Sequence, residues 1–69
     1  MEILAKNLSE LRKDRKLSRQ AVADAVQIST KSYERYENGD REPTATTLAA
    51  LADFFGVSTD YLLGRSEER

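Results

Sequence analysis

All three glycines and the single proline of this chain fall between apolar-periodic segments and never inside one. Gly39, Pro43, Gly56 and Gly64 therefore act as punctuation. They leave room for short helices only, and no stretch alternates as a strand would. Five helical segments result. The first runs from about Glu2 to Arg15, with Leu4, Leu8 and Leu11 on one face. The second follows the N-cap candidate Ser18, and Ala21, Val22, Ala25 and Val26 give it a small-residue apolar face. The third starts after Ser29 and ends at Asn38-Gly39, two residues that tolerate the left-handed conformation of a helix end. The fourth is capped by Thr44 and carries Leu48, Leu51, Ala52 and Phe55 as its stripe. The fifth is short, with Ser58 as cap, then Tyr61, Leu62 and Leu63, then Gly64. The predicted fold is all-α, one five-helix domain over residues 1–64, followed by a charged tail at 65–69 that is expected to fray.

A chain of 69 residues is one small domain, with too little interior for a large substrate cavity. It has no Cys and no His. That removes disulfides, thiolate zinc sites, the cysteine nucleophile and the commonest general base near neutral pH. No phosphate or metal motif stands in their place, so an enzyme is not expected, nor any cofactor or metal. No segment has the length or apolarity of a membrane span or a signal peptide. The formal net charge of -1 argues at first sight against nucleic acid.

The informative unit is 18–39. Its two short helices are joined by only Val26-Gln27-Ile28-Ser29, and the apolar Val26 and Ile28 force them to pack across each other. That is the helix-turn-helix arrangement, which presents its second helix to the DNA major groove. The face of that helix follows from about 100° per residue. Taking Thr30 as zero, Glu34 falls at about 40°, Lys31 at about 100° and Arg35 at about 140°. On the same wheel Tyr36 falls at about 240° and Tyr33 at about 300°. The tyrosines thus face the core. Thr30, Lys31, Glu34 and Arg35 form one polar arc, with Ser32 at its border. Lys31 and Arg35 suit guanine edges or phosphates, Thr30 a base edge or thymine methyl, and Glu34 a cytosine amino group. By spacing alone, such an arc is as readily the solvated face of a short helix. The cluster Arg12, Lys13, Arg15, Lys16 and Arg19 is equally open between phosphate binding and compensation of a helix dipole.

The run LSRQAVADAVQISTKSYERYENGDREP at 17–43, continued by LAALADFFGVSTDYLLG at 48–64, resembles the phage repressor/Cro-type (Xre-like) helix-turn-helix family. The likeness covers about residues 2 to 64. It implies a λ-repressor-like domain that regulates transcription, as a repressor, by binding double-stranded DNA. It further implies a palindromic operator, a homodimer at least on DNA, and a cytoplasmic, nucleoid-associated protein of bacterial or phage origin. Position by position, Thr30, Lys31 and Arg35 match base-reading residues, with Glu34 at the edge of that set. Arg19, Asn38 and Arg41 match backbone contacts, and Ser29 and Ser32 join them. Arg12 and Glu37 match an internal salt bridge. Two departures stand out. Gln27 occupies a turn position that is often Gly in the family, so either it accepts a strained left-handed backbone or the turn differs slightly. The capping box of the second helix lacks its acid, because Ala21 stands at the third position.

A helical protein-interaction module without DNA binding is the main alternative, and the distribution of cations separates the two. Residues 1–41 hold 9 basic and 7 acidic groups, net +2, and residues 42–69 hold 2 and 5, net -3. From Arg12 to Arg19 there are five cations and one anion. The chain total conceals a dipole whose positive half carries the helix-turn-helix. Such a field orients a protein toward DNA while limiting non-specific affinity. The tail either closes a minimal regulator or opens a linker to a further part.

Overall fold

Four hydroxyl side chains set the helix starts. Ser18, Ser29, Thr44 and Ser58 are extended at ψ 161°, 149°, 164° and 156°, and each accepts a bond from the backbone N–H three residues on. Each thereby satisfies one of the N–H groups that a helix start leaves without a partner. In a computed structural model that describes residues 2–69, the elements are α1 (Glu2–Asp14), α2 (Arg19–Ala25), α3 (Thr30–Asn38), α4 (Ala45–Phe55) and α5 (Thr59–Leu62). The first residue of the expected domain, Met1, lies outside the described residues. Among the described residues the architecture is all-α, with no strand.

All five helices stop in the same way. After each one a residue turns left-handed, at Lys16, Gln27, Gly39, Gly56 and Gly64. The next N–H then reaches back five residues: Leu17 to Arg12, Ile28 to Ala23, Asp40 to Arg35, Val57 to Ala52 and Arg65 to Asp60, at 2.8 to 3.1 Å. This is the Schellman closure, repeated five times. Three of its left-handed positions hold glycine and two do not.

The core is built from Leu4, Leu8 and Leu11 of α1, Val22 and Ala23 of α2, Tyr33 and Tyr36 of α3, Leu51, Ala52 and Phe55 of α4, and Leu62 of α5. Around it α3 packs on α1 and α2, while α5 packs on α1 and α4. The face expected of α2 is corrected by one row. Val22 and Ala23 are buried and Val26 is partly buried, while Ala21 and Ala25 lie exposed. In a helix of seven residues two adjacent rows of small side chains are nearly equivalent by pattern. The row turned into the core is the one containing Ala23.

Side chains tie the ends of elements together. Asn7 Nδ2 donates to the carbonyls of Tyr61 and Leu62, at 3.0 and 3.2 Å, closing α5 onto α1. Arg15 donates to the carbonyls of Phe54 and Phe55, at 3.0 and 2.6 Å, and lies over both rings. It thus neutralises the negative end of α4. The tail at 65–69 is irregular and runs back beside the start of α5. The Ser58 N–H donates to the Arg69 carbonyl at 2.9 Å, and the Arg69 guanidinium lies 5.4 Å from the Tyr61 ring centroid.

Candidate nucleic-acid interface

The turn between α2 and α3 sets the presentation of α3. Gln27 takes φ 61°, and the Ile28 and Gln27 N–H groups bond back to Ala23 and Asp24. The chain then leaves α2 sharply, and Ser29 caps α3 two residues later. Tyr33 and Tyr36 anchor α3 from below, at 0% and 6% exposure. Their burial turns the opposite side outward. Lys31 and Arg35 are exposed there, and Thr30, Ser32 and Glu34 are half-buried. Neither Lys31 nor Arg35 makes a side-chain bond among the described residues, so both remain available to an external acceptor.

The residues assigned to the flanks divide. Asn38 and Arg41 are exposed, the first at the last turn of α3 and the second in the loop that follows. Arg19, the first residue of α2, is half exposed, and its Nε lies 3.3 Å from Glu37 Oε1. Ser29 Oγ accepts the Ser32 N–H at 3.0 Å and lies 2.9 Å from Ser32 Oγ. With Ser29 donating along that contact, the Ser32 hydroxyl proton is the one left for an outside oxygen.

Beneath this surface Arg12 and Glu37 meet. Arg12 Nε and Nη2 lie 2.7 and 3.1 Å from the two carboxylate oxygens, and Nη1 donates to the Leu17 carbonyl at 2.9 Å. The guanidinium is therefore satisfied on three nitrogens although it is buried. Burial raises the Glu37 pKa, but Arg12, the neighbouring Tyr33 hydroxyl and Arg19 together outweigh burial and hold the carboxyl below its ordinary value. The Arg12 pKa is raised in turn, chiefly by the bond to Glu37. Burial, followed by the neighbouring Glu37, pushes the Tyr33 phenol up, so its hydroxyl stays protonated; it finds no hydrogen-bond acceptor in good geometry.

The basic cluster near the end of α1 thus separates by function. Arg12 is bound inside, Arg15 is spent on α4, Lys16 makes a turn, and Arg19 stands at the surface beside α3. Pattern alone does not distinguish Arg15 from its neighbours. Its partners lie about 40 residues away, and no local spacing encodes them.

Two short helices crossing at a tight turn, the second anchored by aromatics and displaying a polar arc, define a helix-turn-helix domain. The Helix-turn-helix family model matches residues 8–62, and the chain belongs to this family. Over 62 residues it is 44% identical to the HTH-type transcriptional regulator AnsR of Bacillus subtilis (strain 168), covering 90% of this chain and 53% of that protein. It is 36% identical to the cryptic phage CTXphi transcriptional repressor RstR of Vibrio cholerae, covering 90% of this chain and 55% of that one. The chain spans little more than half the length of the curated relatives it matches. Among solved structures it is similar to the P22 c2 repressor protein in complex with synthetic operator 9T. There the TM-score is 0.88 and the identity 26%, over 96% of this chain and 100% of that chain.

Proposed function

We propose that this chain is a sequence-specific, double-stranded DNA-binding module of a bacterial or phage transcriptional repressor. The observation that carries the reading is the outward arc of α3. Lys31 and Arg35 are exposed and unpaired opposite two buried tyrosines, and Arg19 and Arg41 flank them. The operator-bound P22 c2 repressor, to which the chain is similar along nearly its whole length, supports DNA as the partner. In this reading Thr30, Lys31, Glu34 and Arg35 address base edges, and Arg19, Ser29, Ser32, Asn38 and Arg41 address phosphates. The protein acts in the cytoplasm as a homodimer on a palindromic operator, with its recognition helices about 34 Å apart in successive major grooves. Bound near a promoter, it blocks polymerase sterically. No catalytic step is required.

Selection of bound sequences from random duplexes at a defined salt concentration tests this reading. A palindromic consensus with two half-sites is the expected result. Absence of any enrichment would overturn it and leave a helical protein-interaction module.

A further inference from the structure

Glu37 is shared. Its side chain is only 2% exposed, and the carboxylate accepts from Arg12 of α1 on both oxygens and from Arg19 of α2 on Oε1. Two cations thus meet one anion in a protected site. The trio carries a net charge of +1, and that charge lies on its exposed member, because Arg12 is buried and Arg19 is 47% exposed at the side chain. Arg19 spends only its Nε on Glu37. Its two terminal nitrogens hold four of the five guanidinium N–H donors. Among the described residues they make no protein bond.

We infer that Glu37 is a positioning residue for Arg19: it fixes the guanidinium by Nε and leaves the terminal nitrogens as a preorganised fork for one phosphate oxygen pair of duplex DNA. The inference rests on the DNA-binding reading above and deepens it. A free surface arginine loses much of its rotamer freedom when it captures a phosphate. Here much of that loss has already occurred on folding. Glu37 does not cancel the charge it positions, since its own charge is matched by Arg12. The geometry demands arginine. A lysine at this position has one ammonium for both partners, so it cannot hold Glu37 through a stem nitrogen while presenting a planar fork outward.

The test uses the full chain and a pool of random-sequence duplex DNA, titrated across a salt series. Arg19→Lys keeps the charge and removes the fork; Arg19→Gln removes both. Arg19 is half exposed, so both variants are expected to fold, and a circular dichroism melt checks this. Arg19→Lys should bind about 5- to 10-fold more weakly than wild type with an unchanged salt slope. Arg19→Gln should bind at least as weakly, with the slope reduced by about 0.9. In parallel, the Arg19 Nε–Hε signal of the free protein should appear by NMR as ordered and slow to exchange at neutral pH. Arg19→Lys binding as tightly as wild type, or a motionally averaged Nε–Hε signal, would overturn the role of Glu37 while leaving DNA binding intact. A wild-type chain that binds no duplex at low salt would overturn the DNA reading, and this one with it.

Discussion

At Glu37 one carboxylate holds arginines from two other helices, and the energetic consequence depends on pH. The folded pKa lies below the ordinary carboxylate value, which is about 4.3 for glutamate. The stability linked to this shift is therefore present in full above the unfolded value and is lost as pH falls through the folded one. Glu37→Gln removes it at every pH and leaves Arg12 charged, buried and short of a partner. Such a loss costs about 3–5 kcal/mol, toward the lower end here because Arg12 keeps its bond to the Leu17 carbonyl. In urea unfolding, wild type and Glu37→Gln should differ most at neutral pH and converge as pH falls below about 4. A gap that stays constant down to pH 2 would show that the ionised carboxylate is not what is being lost. Backbone strain gives a second residue-scale expectation. Gln27 and Lys16 sit at φ 61° and 57°, where a Cβ costs roughly 1–2 kcal/mol. Glycine relieves that cost but loses about 0.5–1 kcal/mol to chain entropy. Gln27→Gly should therefore stabilise the fold by up to about 1 kcal/mol, read as a higher urea midpoint at unchanged m-value.

At the scale of elements, the sequence is most legible where one side chain acts locally. Ser18, Ser29, Thr44 and Ser58 are each recognisable as caps, and each accepts the bond expected of it. Gly39, Gly56 and Gly64 mark three helix ends for the same reason. The ends of α1 and α2 use the same closure with Lys16 and Gln27. Gln27 is readable only through the family likeness, and Lys16 not at all, since nothing in a lysine signals positive φ. The face of α2 escapes the sequence because it depends on what packs from elsewhere in the chain. The polar arc of α3 is readable because Tyr33 and Tyr36 fix its opposite side. The partners of Arg15 and the sharing of Glu37 by Arg19 are not, being contacts across 39 and 18 residues. Arg15 yields the expectation that belongs here. Arg15→Ala should lower stability by about 1 kcal/mol, below the usual worth of a charged hydrogen bond because the site is partly in water. It should leave the salt slope of DNA binding unchanged. A slope reduced by about 0.9 would mean that Arg15 neutralises a phosphate, and its placement at the end of α4 would then fail to describe the DNA-bound state.

The Cα trace of this domain spans 27 × 23 × 19 Å. Two such bodies side by side match half-sites one helical turn, about 34 Å, apart. They do not match a wider spacing, because a body 27 Å long cannot touch a second one another full turn away. Contact between the two copies on DNA, if it is made by this chain, therefore depends on spacing as well as on rotation. On the palindromic operator proposed above, inserting 5 base pairs between the half-sites should place the copies on opposite faces and abolish cooperative binding. Inserting a full turn restores the face but not the reach, so it should fail as well. Affinity in both cases should fall to that of an isolated half-site, measured by titration at fixed salt. Cooperative binding regained at the full-turn insertion would show that the copies are not held together by direct contact between two domains of this size.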